Sequence, residues 1–157
     1  MRTTEELTQV FRAEGLRVTP QRQAIFGLLQ HNTRHPTVEA LHEAARAQMP
    51  TLSLKTVYQT VHDLEAMGEV MLIDVGNGGV RVDPNTEDPH QHLVCGHCGT
   101  VRDVQVGGAP LRLDSRQRRG FTVASVEVQF RGICDECASE TTAIPSTADD
   151  HRPGRKE

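Results

Sequence analysis

Two Cys-x-x-Cys pairs, Cys95-Gly-His-Cys98 and Cys134-Asp-Glu-Cys137, hold all four cysteines of the chain. Doubled spacing of this kind lets four thiolates meet one tetrahedral ion, with Zn–S bonds of about 2.3 Å. It also constrains topology. The 35 residues between Cys98 and Cys134 must leave one knuckle and return to the other, forming a small lobe stapled at its ends by the ion. Disulfides belong to oxidising compartments, and a thioredoxin-type dithiol needs a βαβ context around one pair; two matched pairs favour a metal. Cys95, Cys98, Cys134 and Cys137 are therefore the candidate structural zinc ligands. A zinc deaminase is excluded, because no His-x-Glu accompanies the pairs. Nothing else in the chain makes a credible hydrolase, and an enzyme is not expected.

Upstream of the first pair the apolar periodicity is helical. Glu5 to Glu14 sets Leu7, Val10 and Phe11 on one face, and Gly15 can close that helix. Thr19-Pro20 supplies an N-cap followed by proline at the first helical position, with Ala24, Ile25, Leu28 and Leu29 as the buried stripe. A third helix starts near Thr37, turns Val38, Leu41 and Ala45 inward, and stops before Pro50. In the fourth, Ser53 caps LKTVYQTVHDLEAM and Gly68 closes it. Val57, Val61, Leu64 and Met67 line its inner face and leave Lys55, Thr56, Gln59 and His62 largely opposite. VMLIDV and VRVD then flank Gly76-Asn77-Gly78-Gly79 as a β-hairpin. Helices followed by a two-stranded hairpin form the order of a winged helix-turn-helix, whose last helix enters the major groove. The competing reading is a small helical bundle with an adventitious hairpin. Exposed Ser, Thr, Tyr, Gln and Lys side chains on the fourth helix can reach phosphates or base edges, which favours DNA.

Charge separates the two halves. The chain of 157 residues has a net charge of -4, so it does not coat nucleic acid through bulk charge. Residues 1–67 carry seven Lys/Arg and seven Asp/Glu. The acidic excess therefore lies downstream, among the histidines and cysteines, where it suits cation binding. Aromatic content is 3% with no Trp, so the core is aliphatic and base-stacking platforms are not expected. No apolar run nears the ~20 residues a membrane helix needs, and MRTTEELTQVF lacks a signal-peptide core, so a cytoplasmic location is expected. After residues 84–89 the pattern turns to β. LVC and VRDVQV read as strands, PLRLDSRQRR as a helix ended by Gly120, and FTVASVEVQF as a half-buried strand with Val126, Val128 and Phe130 alternating. From Ala138 onward the chain lacks periodicity and is expected to be disordered.

The histidines offer a second donor set. His90 and His92 alternate with Gln91, so an extended segment projects both rings to one side. Asp103 follows the first knuckle, on the face opposite Val104 and Val106; Asp83 closes the hairpin; His35 lies between the second and third helices. Three imidazoles and two carboxylates would make an N/O site without thiolate, suited to Fe2+ or Mn2+. Spacing alone does not join His35 to the other four, and a lone histidine or aspartate is more often a surface residue. His31, His42, His62, His97 and His151 read as surface residues.

The ordered set RVTPQR, HPT, SLKTVYQTV, RVD, HQHLVCGHCG, VRD and GICDEC, from about residue 5 to residue 137, resembles the ferric uptake regulator superfamily of bacterial metal-dependent repressors. The resemblance implies an α+β chain. Residues 1–83 would form a winged-helix DNA-binding domain, 84–89 a hinge, 90–137 a small α/β dimerisation domain with the four-cysteine zinc, and 138–157 a tail. It implies a homodimer on pseudo-palindromic operator DNA and a regulatory Fe2+ or Mn2+ held by His35, Asp83, His90, His92 and Asp103. Glu87 or Asp88 is a substitute for Asp83, because one residue is added before His90. Lys55, Thr56, Tyr58 and Gln59 are the expected DNA contacts. The all-N/O set ending in Asp103 looks like the peroxide-responsive branch, in which bound Fe2+ reacts with H2O2 and oxidises a ligand histidine, here His35 or His90. Val126 stands where some iron regulators carry a further histidine. The alternatives are an iron-responsive repressor of the same family and, from a different class, a zinc-stabilised protein-interaction module.

Overall fold

The computed structural model describes residues 1–76, 79–108, 111–124 and 126–142. Its elements run α1 (Thr4–Ala13), α2 (Pro20–Leu29), α3 (Val38–Arg46), α4 (Leu54–Ala66), β1 (Met71–Gly76), β2 (Gly79–Asp83), β3 (Gln91–Cys95), β4 (Val101–Val104), β5 (Gln129–Gly132) and α5 (Asp135–Thr142). Each of the first four helices begins the same way. The hydroxyls of Thr3, Thr19, Thr37 and Ser53 accept from the amide three residues on, satisfying a donor the helix cannot. Thr3 adds a capping box with Glu6. At the other end, Gly15 (φ +72°) and Gly68 (φ +70°) take the left-handed turn that stops α1 and α4. There the amides of Leu16 and Glu69 reach back to the carbonyls of Phe11 and Leu64.

α1 to α4 enclose one aliphatic core built on Leu7, Phe11, Ile25, Phe26, Leu29, Leu41, Val57, Val61 and Leu64. Phe26 packs tilted against Phe11 with centroids 4.8 Å apart, so the stripe of α2 is wider than Ala24, Ile25, Leu28 and Leu29. Leu52 and the hairpin residues Val70 and Val82 complete this core. β1 and β2 pair antiparallel, Met71 opposite Asp83, as the wing of a winged helix. The opposite side of β1 faces the other half of the chain, where Ile73 and Val75 pack with Val94 and Val101 in a second, smaller core. The wing is thus buried against both halves. Arg131 reinforces this docking by donating to the carbonyls of Val75 (3.0 Å) and Asp74 (3.1 Å).

The second sheet has the order β4-β3-β5, with β3 antiparallel to β4 and parallel to β5. Three sequence expectations are corrected here. PLRLDSRQRR contains no helix among its described residues; 115–120 are turns, and Leu111 and Leu113 are 68% and 58% exposed. Of FTVASVEVQF only Gln129 and Phe130 join a strand, and Phe121 and Val126 are 80% and 59% exposed. An amphipathic segment holds its regular form by burying its apolar face, and among the described residues Leu111, Leu113, Phe121, Val123 and Val126 stay exposed. The expected tail is helical through Thr142 in α5, whose first turn carries Cys137; residues 143–157 lie outside the described residues. Among the described residues no helix is long and apolar enough to cross a membrane.

Candidate metal centres

β3 ends at Cys95, and β5 runs through Gly132 toward Cys134, which directly precedes α5. Their parallel register sets Cys95 opposite Gly132, which brings the two cysteine pairs together. All four Sγ atoms lie within 4.8 Å of one another. Cys98 Sγ and Cys134 Sγ are 3.7 Å apart, far too long for a disulfide. That spacing is close to the ~3.8 Å edge of a tetrahedron with 2.3 Å zinc–sulfur bonds. The local peptides favour thiolates. The amides of Cys98, Cys134 and His97 pull the Cys95 thiol down to about 6, and Thr100, 3.1 Å from Cys98 Sγ, lowers Cys98. Cys137, facing Cys134 and largely buried, is pushed up instead. Four thiolates at this separation repel, and a divalent cation supplies the missing charge. The residues fit zinc.

The second centre is assembled by two backbone devices. The amide of Val82 in β2 donates to the carbonyl of Pro36 at 2.9 Å, tying the α2–α3 loop to the wing and setting His35 beside Asp83. His35 sits at φ +47°, a left-handed conformation that costs a β-carbon residue energy. It is 1% exposed. In the other sheet the β3/β4 register makes His92 and Asp103 direct cross-strand partners. The two halves then converge. His35 Nε2 lies 2.7 Å from Asp103 Oδ1 and 3.6 Å from Asp83 Oδ1. His90 Nε2 is 2.9 Å from Asp83 Oδ2 and 3.0 Å from His92 Nε2, which is itself 3.2 Å from Asp83 Oδ2. His35, Asp83, His92 and Asp103 can each aim one donor atom within 4.8 Å of the rest, and His90 borders the same point.

These contacts are not an ordinary polar cluster. His35 Nε2 and Asp103 Oδ1 approach closely, yet neither buried atom has a hydrogen-bond partner among the described residues. Two such atoms aimed past each other at a common point fit an ion better than a hydrogen bond. His90 is also set up as a ligand. Its Nδ1 lies 2.7 Å from the Asp88 carbonyl, which only accepts, so Nδ1 keeps its proton and Nε2 is the nitrogen that would give up its own to bind an ion. Burial of the His90 ring works against its charged form, but the Asp88 carbonyl, Asp83 and Asp103 outweigh it and hold its pKa above the ordinary 6.5. The donor set is all N and O, the chemistry that suits Fe2+ and Mn2+.

Asp83 is fully buried at the centre and belongs to the donor group, whereas Glu87 and Asp88 are exposed and do not. His97 is exposed and absent from both donor groups. On α4, Lys55, Tyr58 and Gln59 are exposed. Thr56 is half-buried, its hydroxyl 2.8 Å from that of the cap Ser53, so it serves the helix start. Tyr58 donates to Glu39 at 2.5 Å, which lowers Glu39 and raises the phenol. Periodicity could not have found the roles of Pro36 and Asp88, which act through backbone carbonyls that their residue types do not advertise, or of Arg131, whose guanidinium seeks wing carbonyls distant in sequence.

Residues 13–131 match the ferric uptake regulator family model. The chain is 30% identical to the peroxide operon regulator of Bacillus subtilis over 141 residues, 87% of this chain and 94% of that one. It is 31% identical to the peroxide-responsive repressor PerR of Staphylococcus aureus over 134 residues, 85% of this chain and 90% of that one. Among solved structures it superimposes on the Helicobacter pylori ferric uptake regulator Fur with a TM-score of 0.68 at 20% identity, covering 85% of this chain and 90% of that one.

Proposed function

The chain belongs to the ferric uptake regulator family, and from that premise we propose that it is a metal-dependent transcriptional repressor that senses peroxide. The observation that carries the reading is the composition of the five-residue N/O centre. His35 and Asp83 come from the helical lobe and its wing, and His90, His92 and Asp103 come from the segment after the hinge. An ion held by all five fixes the angle between the lobes, and with it the angle at which α4 is presented. Preferential binding of metal to this arrangement makes metal occupancy and DNA affinity reciprocal. In this reading residues 1–83 bind DNA through Lys55, Thr56, Tyr58 and Gln59 on α4. Residues 84–89 are the hinge, and residues 90–137 hold the zinc and join two copies into a dimer on a pseudo-palindromic operator. The exposed apolar residues of 111–128 are consistent with such a dimer contact.

Bound Fe2+ would supply the reduction of H2O2 and the oxidation of an adjacent ligand. The protein's part is to seat the His35 and His90 side chains, both buried, at the shared point, with no hydrogen-bond partner among the described residues for the inward nitrogen of His35. One oxygen atom added to either ring removes a donor shared between lobes, and the hinge is freed. Mn2+ holds the same ligands without this reaction. The test loads the protein anaerobically with Fe2+, adds substoichiometric H2O2 and maps peptides by mass spectrometry. A gain of one oxygen on His35 or His90, with loss of DNA binding, is expected. Intact histidines with persistent Fe2+-dependent binding would replace peroxide sensing by iron sensing.

A further inference from the structure

On the exposed side of α4, Gln59 has a fixed partner. Its Nε2 donates to Asp63 Oδ1 at 2.8 Å, one helical turn on. Asp63 is itself anchored: its Oδ2 accepts from Arg22 Nη2 on α2 at 2.6 Å, both side chains being 14% exposed. The Arg22 guanidinium lies over the Phe11 ring, 5.2 Å from its centroid, at the edge of the core. The orientation of the glutamine amide follows from chemistry, because an ionised carboxylate only accepts and the NH2 group must face it. Oε1 is left pointing away from Asp63, toward solvent.

We infer that Asp63, held by Arg22, polarises Gln59 into a hydrogen-bond acceptor, so that Gln59 reads an exocyclic amino group, adenine N6 or cytosine N4, in the major groove. The inference rests on the DNA-binding reading above and adds the chemistry of one contact. A free glutamine commonly pairs with adenine through two bonds, accepting from N6 and donating to N7. Here the donor half is already spent on Asp63. Turning the amide round would leave an Asp63 oxygen without its donor beneath a phosphate-lined surface, where an unpaired carboxylate is costly. Gln59 therefore makes a one-bond contact that is blind to N7. Arg22 and Asp63 act as positioning residues through it.

The test begins with selection from a randomised duplex pool by the Mn2+-loaded full chain and by Gln59→Ala, which identifies the base pair whose preference depends on Gln59. Binding is then measured on that site with single-atom changes: removal of the amino group (purine for adenine, or 2-pyrimidinone for cytosine) and, for adenine, replacement of N7 by carbon. Loss of the amino group is expected to weaken binding about tenfold, and the 7-deaza base to leave it unchanged. In Gln59→Ala both modified sites should bind like the unmodified one. In Asp63→Ala, with Mn2+ affinity and melting used to verify the fold, the freed NH2 should make adenine binding sensitive to 7-deaza substitution. Sensitivity to 7-deaza in the unmutated protein, indifference to the amino group, or no Gln59-dependent position would overturn the inference while leaving DNA binding intact. Failure to enrich any duplex with metal-loaded protein would instead overturn the DNA-binding reading and this inference with it.

Discussion

His92 and Asp103 face each other across β3 and β4 as register partners, and Asp103 Oδ1 then reaches 2.7 Å from His35 Nε2 in the other lobe. One strand pairing thus places a ligand pair, and one of its members crosses to the helical half. Asp103→Ala should lower Mn2+ affinity by roughly 100-fold or more, on the scale seen for perturbed ligand shells, while the zinc content of the protein stays unchanged. Mn2+ titration alongside elemental analysis checks both. Loss of zinc together with Mn2+ would mean that the two centres are not separable.

The zinc centre and the wing share a core, because Val94 precedes Cys95 in β3 and packs with Ile73 and Val75 of β1. Cys134→Ser should abolish stoichiometric zinc and also loosen the wing. The expected result is loss of β structure by circular dichroism and faster amide exchange at Ile73 and Val75, with α1 to α4 retained. Structural zinc contributes on the order of 10 kcal/mol to such small lobes, so partial occupancy is not expected.

Arg131 clamps two wing carbonyls from β5. Arg131→Ala removes both bonds and should destabilise the protein by about 1–3 kcal/mol, the range for hydrogen bonds from a charged donor. Denaturant midpoints measure the loss. Because the clamp holds the wing on which Asp83 ends, Mn2+ affinity should fall as well; Arg131→Lys should recover only part of it, since ammonium does not reproduce the fork.

The raised pKa of His90 sets opposite pH trends for the two forms. Without regulatory metal, a histidine held above its ordinary 6.5 contributes stability that is present below its unfolded pKa and lost as pH rises through its folded pKa. Metal binding needs the inward nitrogen free of its proton, so the stabilisation added by Mn2+ should grow as pH rises above 6.5. Thermal midpoints of the zinc-loaded protein, with and without Mn2+, should diverge as pH rises. In His90→Gln the divergence should shrink.

The helical half and the meeting of the two cysteine pairs were largely legible from residues, because capping hydroxyls, apolar stripes and cysteine spacing each act over a few positions. Thr19, Thr37 and Ser53 stand where their patterns place them. His35 became attached to Asp83 in the sequence only through the family resemblance, since the link is a backbone bond from Val82 to Pro36 that no spacing encodes. The segment 111–128 was misread for a related reason. Alternating Val126, Val128 and Phe130 describe a half-buried strand only when something covers them, and within one chain Val126 and Phe130 stay exposed. The anchoring of Asp63 by Arg22 was likewise invisible, because it comes from another helix.

If one ion shared between the lobes controls DNA binding, removing His35, the histidine contributed by the helical half, should uncouple metal from DNA. Operator affinity should be measured for the zinc-loaded protein with and without Mn2+, in the native chain and in His35→Ala. The account predicts that Mn2+ strengthens binding by about tenfold or more in the native chain and leaves His35→Ala, with its zinc retained, at the metal-free affinity. Equal Mn2+ enhancement in both proteins would contradict it.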